Sequence, residues 1–354
     1  MKIGIVGCGL IAETHLRILS KIRADADICL CDRDVQKAEE MALRWKVEST
    51  YSDVHELLSD AKPDTVHILT PPPSHFSLSR MALEAGCHVF VEKPVTETLP
   101  EFYTLSNLAK AQGLLLYPGY STLGMPVIVK AKKIISSGDF GRLIAIHCNY
   151  GCQSPGNAIP YGDPNHWSYF LRGGILQNMA DHPISLLLDL MGPIEGHHIS
   201  VARRNFLPHD CPDLLHVTVN NHDQIGSFAL SIGHGSADRR AHLLFERGSM
   251  VIDMSRMLLS CLQGRGPHNF IKKGLSGVQE GLAFVNGTIK NITDVIVGRL
   301  QKEPGIFNVV HDFYRCIDGK EERLVSNRTV ASIVDLLDKT WAEIDYRPLQ
   351  ERTG

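Results

Sequence analysis

The first residues that could do chemistry are Gly7-Cys8-Gly9-Leu10-Ile11-Ala12, a G-x-G-x-x-[GA] run directly after the β-branched stretch Lys2 to Val6. Gly7 permits a tight turn, Gly9 lets the main chain approach a pyrophosphate, and Ala12 is small enough for close helix–strand packing. A helix opening there offers free N–H groups and a positive dipole end to phosphates. Asp32 closes the second strand-like run, where a carboxylate can accept both hydroxyls of an adenosine ribose. That favours NAD, because a 2′-phosphate would meet the Asp32 charge. Arg33 could pair with such a phosphate or stack on adenine, so NADP stays the alternative; a solvated side chain is the plain reading of Arg33.

Two further segments follow strand-like runs, at the edge where open α/β sheets bind ligands. They are Thr70-Pro71-Pro72 and Glu92-Lys93-Pro94. A lysine at a strand end could reach a substrate hydroxyl, although a simple turn and a surface charge are the plain alternatives. Tyr120, just past the last strand of this part, could face the same cleft. His166-Trp167 suits sugar stacking and hydroxyl recognition, with packing an equal alternative. His197-His198 and His209-Asp210-Cys211 could suggest a metal, but adjacent strand residues point to opposite faces, and no metal is expected.

The elements needed to position these groups are legible. Strand-like runs at Lys2–Val6, Ile28–Cys31, Val66–Leu69, Val89–Val91 and Leu114–Tyr117 alternate with helical stretches, which predicts parallel strands joined by right-handed crossovers. Ser74 is a candidate N-cap, and Thr98 with Glu101 a candidate capping box. A doubly wound α/β Rossmann domain is expected over 1–120. Residues 121–354 are expected to form an α+β domain with an open, mostly antiparallel sheet. In it, strand-like runs lie between 194 and 260, a loop over 151–164, and helices near 276–300, 306–317 and 328–345. Lys plus Arg total 36 and Asp plus Glu 39, a net charge of −3, which leaves no electrostatic footprint for nucleic acid or an anionic membrane. Nine cysteines without a CxxC pair, and no signal-like N-terminal stretch, predict a reduced, cytoplasmic chain.

Taken in order, GxGxxA, Asp32, TPPPSHF (70–76), HVFVEKP (88–94), SSGDFGRL (136–143) and LRGGILQNMADHPISLLLDL (171–190) resemble one family over almost the whole chain. It is the glucose–fructose oxidoreductase, inositol dehydrogenase and rhizopine-catabolism (Gfo/Idh/MocA) family of dehydrogenases. The resemblance implies cofactor contacts from Gly7, Gly9, Leu10, Ile11, Asp32, Arg33, Thr70, Pro71, His75, Glu92 and Lys93. It makes Lys93 the motif lysine and His182 the active-site histidine, and Asn178 stands where most members carry Asp. Substrate contacts are expected from Tyr120, His166, Trp167, Asn178 and His182. Asn178, His182, Ser185 and Asp189 share a helix face by spacing, although Pro183 should kink or start that helix. The implied reaction is hydride transfer between a carbinol of a sugar, cyclitol or nucleotide sugar and the nicotinamide. His182 would handle the proton and Lys93 would steady the oxygen. A non-catalytic dinucleotide sensor and a redox-neutral glycosidase are the alternatives. The resemblance also implies a homodimer or homotetramer formed through the open sheet.

Overall fold

A computed structural model describes residues 1–153, 163–234, 238–264, 270–319, 323–344 and 346. Most of the loop expected over 151–164 therefore lies outside the described residues. The chain divides into two compact units, Met1–Tyr120 with Ile306–Asp338, and Ser121–Gly305 with Lys339–Gly354.

Among the described residues the first unit holds a six-stranded parallel sheet. Its strands are β1 (Lys2–Val6), β2 (Asp27–Cys31), β3 (Ser49–Tyr51), β4 (Thr65–Ile68), β5 (His88–Val91) and β6 (Leu116–Pro118). Their order, β3-β2-β1-β4-β5-β6, is that of a doubly wound dinucleotide fold. The edge strand β3 is the one not anticipated, being three residues long and without an apolar alternation. Helices α1 (Leu10–Ile22), α2 (Val35–Trp45), α3 (His75–Glu84) and α4 (Leu99–Ala111) form the crossovers. The capping box of Thr98 and Glu101 starts α4 as expected. Ser74 does not cap α3; its hydroxyl bonds Thr70 Oγ1 and the Pro71 carbonyl instead, tying off the proline turn.

The second unit carries α5 (Pro126–Ser136), then a mixed sheet of β7 (Leu143–Gln153), β8 (Gly196–Ala202), β9 (Leu214–Asn220), β10 (Ile225–His234), β11 (Arg239–Phe245), β12 (Gly248–Asp253) and β13 (Leu258–Gln263). The order is β13-β12-β11-β7-β10-β9-β8, antiparallel except where β7 and β10 run parallel. Helix α6 (Gly174–Met191) packs on β10 and β7, and α7 (Phe270–Ile296) on β13. Pro183 neither starts nor ends α6. The helix runs through it, held by the buried Ile184, Leu186, Leu187 and Leu188 that follow.

The last leg of the chain departs from a single boundary at residue 120. Helices α8 (Pro304–Ile317) and α9 (Asn327–Glu343) return so that Ile306–Asp338 belongs to the first unit. The reason is apolar: Val309, Val310, Phe313 and Tyr314 join one core with Ile3, Ile5, Leu16, Phe90 and Tyr117. Tyr117 donates to Asp312 Oδ2 at 2.5 Å, and Asp312 also accepts from the Leu324 N–H at 2.9 Å, so the buried carboxylate is satisfied.

Two histidines lie inside this core. His15 Nδ1 meets His67 Nδ1 at 2.8 Å, and His67 Nε2 meets the Tyr314 hydroxyl at 2.8 Å. Burial, then His15, holds His67 well below the ordinary imidazole pKa, so it is neutral when folded. Unfolding restores a pKa near 6.5, so the unfolded chain binds the extra proton, and stability falls as pH drops below about 6.5.

Two outcomes follow in urea titrations. Phe313→Ala should cost about 3–5 kcal/mol; a change under about 1 kcal/mol would mean that α8 does not complete the first core. His67→Gln should flatten the acid limb, removing a slope of up to about 1.4 kcal/mol per pH unit below pH 6. An unchanged slope would mean that His67 is not neutral in the fold.

Candidate active site

One cross-strand row lines up the carboxyl ends of the parallel sheet. Cys31, Val6, Ile68, Val91 and Pro118 are partners in register. The ladder continues one rung beyond them. Gly7 N–H donates to the Cys31 carbonyl, Leu69 to Val6, Glu92 to Ile68 and Gly119 to Val91, all at 2.8–2.9 Å. Gly7, Asp32, Thr70, Glu92, Lys93 and Tyr120 therefore leave the sheet along a single edge, within two residues of that row.

The glycine turn is built as the motif demands. Gly7 has φ +95°, and a Cβ there would lie 2.9 Å from the Leu69 carbonyl carbon. Gly9 has ordinary backbone angles and open space where a Cβ would project. Ala12 is fully buried, Ile11 half-buried and Leu10 exposed at the N-terminus of α1. Asp32 is half-buried; its Oδ2 accepts from the Cys8 N–H at 2.8 Å and Oδ1 from the Asp34 N–H at 2.9 Å. The carboxylate thus locks the turn to the end of β2. Arg33 is exposed beside it. Burial, with Asp32 nearby, pushes the Cys8 thiol up to about 12, so no thiolate sits where an anion would bind. An open cradle at Gly9, a helix N-terminus and Asp32 fit a dinucleotide with a free ribose diol.

The next two strand ends are stapled together. His75 is fully buried; its Nδ1 lies 2.7 Å from the Pro94 carbonyl and its Nε2 2.7 Å from the Thr70 carbonyl. It links the proline turn to the segment holding Lys93, so its side chain acts through those two loops rather than by touching a ligand. Pro71 is exposed on the turn. Glu92 Oε1 lies 3.6 Å from His15 Nε2, and a Cβ at Gly119 would lie 2.9 Å from the same oxygen. Glu92 thus lies above a core histidine and close against the β6 turn. Lys93 is half-buried, and the Lys93–Pro94 peptide is cis. Tyr120 does not present itself to a ligand: it is 1% exposed, packed into the interior where its N–H turns back to the Pro118 carbonyl.

In the second unit, α6 carries His182, half-buried on its third turn from a glycine start. His182 Nδ1 lies 2.9 Å from Thr122 Oγ1, and its ring stacks on Tyr150 at 5.4 Å with the planes 10° apart. Ser185 donates to the His182 carbonyl. Asn178 is half-buried one turn earlier. Asp189 sits on the same face by spacing but pairs with Lys132 at 2.7 Å. The glycine pair before α6 is a packing device. A Cβ at Gly173 would meet Trp341 at 2.3 Å, and one at Gly174 would meet Cys211 Sγ at 2.4 Å. His166 caps the short turn Trp167–Phe170, accepting from the Ser168 N–H through its side chain. Its ring leans on Trp167 at 5.1 Å.

Thr122 and Tyr150 are residues that sequence reasoning did not single out. Their link to His182 spans 60 and 32 positions and leaves no local pattern. Of the suggested metal clusters, His197 bonds Glu343 and His209 bonds the Pro164 carbonyl. Among the described residues no group of three or more His, Cys, Asp or Glu is placed to hold a metal ion.

The sheet order, glycine turn and Asp32 define an NAD-binding Rossmann domain. Comparison with known proteins gives the family: the model of the Gfo/Idh/MocA oxidoreductase family, NAD-binding Rossmann fold, matches residues 1–120, and that of the Gfo/Idh/MocA C-terminal domain matches 128–251. The chain belongs to this family. It is 25% identical over 270 residues to an uncharacterised oxidoreductase of Synechocystis sp., covering 71% of each chain. It is also 25% identical over 175 residues to a D-xylose dehydrogenase of Paenarthrobacter nicotinovorans, covering 49% of this chain and 45% of that protein. The fold matches levoglucosan dehydrogenase, solved with NADH and levoglucosan, at TM-score 0.74 and 19% identity over 97% of both chains.

The two glycines separate binding from folding. Gly9→Ala should leave thermal stability unchanged, since its Cβ meets nothing in the free protein, and weaken NADH binding at least about tenfold, read by fluorescence titration. Gly7→Ala should lose about 1–3 kcal/mol of stability as well, from the positive φ and the backbone clash. Equal behaviour of the two variants would contradict this reading of the turn.

Proposed function

We propose that this chain is an NAD-dependent dehydrogenase acting on a secondary alcohol of a sugar, cyclitol or nucleotide sugar. The observation that carries the reading is the shared edge of the parallel sheet, which delivers the glycine turn, Asp32 and Lys93 side by side. Gly7, Gly9 and the α1 N-terminus hold the pyrophosphate. Asp32 takes the ribose diol and selects NAD over NADP by charge, with Arg33 exposed beside it. Thr70, Pro71 and Glu92–Lys93 line the way to the nicotinamide, and His75 keeps the last two loops in place. NAD supplies the hydride acceptor when bound.

Within the chain, Lys93 donates a hydrogen bond from Nζ to the reacting oxygen and stabilises its developing charge. His182 takes the alcohol proton at Nε2 in the tautomer whose Nδ1–H donates to Thr122 Oγ1. Asn178 cannot supply the negative charge that an Asp would. The Thr122 hydroxyl and the Tyr150 ring fix the imidazole instead, so orientation survives the change while cation stabilisation does not. Trp167, half-buried beside His166, remains the candidate for packing on the substrate; Tyr120 is withdrawn from that role by its burial. We also propose a homo-oligomer, and a cytoplasmic location fits nine free cysteines.

Incubation with NAD and a panel of sugars, cyclitols and nucleotide sugars, read at the NADH absorbance, tests this. Turnover should fall about 10²- to 10⁴-fold in both Lys93→Ala and His182→Ala, with NAD affinity kept in the histidine variant. Product formed without net NADH would instead indicate a redox-neutral glycosidase. Tight NAD binding without turnover, indifferent to His182→Ala, would indicate a sensor.

A further inference from the structure

Helix α7 carries an apolar stripe directed away from its own unit. Leu275, Val278, Leu282, Val285, Ile289 and Ile292, continued by Ile296, recur at alternating steps of three and four residues. Each is between 55% and 76% exposed. This is the 3.5-residue period of a helix-pairing seam, and the sheet beneath does not use it. The helix is anchored by its other side. Ser260 Oγ donates to Glu280 at 2.9 Å, and Asn291 Nδ2 donates to the Arg256 and Met257 carbonyls at 2.9 and 3.1 Å. A Cβ at Gly287 would lie 2.8 Å from Leu258. Glu280, Gly287 and Asp294 are seven apart, on the face opposite the seam.

Three kinds of surface could cover the stripe, and charge and area choose among them. Interfacial membrane helices carry Lys and Arg along the border of their apolar face. From Leu275 to Ile296 the seam is flanked by Gln279, Gly281, Asn286, Thr288 and Thr293, all uncharged, and Lys290 is paired with Asp294. A different protein partner would ordinarily be selected by charges at those flanks. Neutral, small flanks impose no such selection, oppose no identical helix and let two backbones approach closely. At roughly 100 Å² of apolar surface left open per side chain, the seam exposes on the order of 700 Å² per copy, close to the ~800 Å² a partner contributes to a standard interface. It also exceeds what monomeric proteins usually leave open in one patch.

We propose that α7 is a self-association surface, packing against α7 of a second copy of this chain through an isologous contact. The inference stands apart from the dehydrogenase reading, since it draws on α7 and the β12–β13 hairpin alone.

Sedimentation equilibrium of the full chain tests it. The double variant Leu282→Glu, Ile289→Glu should show half the wild-type mass at the same concentration, with unchanged circular dichroism, since both side chains are exposed. Val285 is the middle of the seam, near its own equivalent in either parallel or antiparallel pairing. In a Cys261→Ser background, Val285→Cys should therefore cross-link between copies on mild oxidation, while Lys290→Cys should not. Equal masses for wild type and double variant, together with no cross-link at 285, would overturn the proposal. So would co-sedimentation of the wild type with phosphatidylcholine–phosphatidylglycerol vesicles that the double variant abolishes, which would make the seam a lipid-binding face.

Discussion

The backbone ladder between β2, β1, β4, β5 and β6 sets everything else at the cofactor edge. Because Cys31, Val6, Ile68, Val91 and Pro118 stand in one row, the next residue of each strand emerges at the same level. Four hydrogen bonds of one further rung then hold Gly7, Leu69, Glu92 and Gly119 there. A one-residue slip in any strand would reverse which face its side chains reach and would move its end out of line. The binding edge is thus a consequence of register before it is a matter of side chains.

Beneath that edge the core is more polar than a sheet interior usually is. Tyr314, His67 and His15 form a buried hydrogen-bonded chain whose last ring nitrogen lies 3.6 Å from Glu92, the neighbour of Lys93. Buried polar networks are costly when half satisfied and rigid when complete. Here the hydrogen bonds run from α8 through β4 to α1, so the last leg of the chain is tied to the strand and helix that underlie the cofactor edge. The second unit uses a different device. Its histidine is fixed by an aromatic face and a hydroxyl, on a helix whose start is seated by two glycines against Trp341 and Cys211.

Much of the cofactor edge was legible in the sequence, because its signals are local. A strand, a glycine turn and a helix are contiguous, and Asp32 and Lys93 each sit directly after a strand-like run. The capping box of α4 was equally plain. What escaped was long-range or negative. Nothing near residue 306 says that α8 returns to the first core; that depends on which apolar face finds Phe90 and Tyr117. Tyr120 and His75 carry reactive-looking side chains, and burial gives one to the interior and the other to two carbonyls. Thr122 and Tyr150 gain meaning only through contact with His182. The resemblance to a family identified His182, but the spacing argument alone would have ranked Asp189 with it, and Asp189 belongs to Lys132.

The most direct test of the central claim is a crystal structure with NADH bound. The account predicts the pyrophosphate over Gly7–Ala12, the adenosine ribose diol on the Asp32 carboxylate and the nicotinamide beside Lys93, with the register of the sheet unchanged. A cofactor lying elsewhere, or a nicotinamide with the Lys93 ammonium turned away from it, would contradict the account.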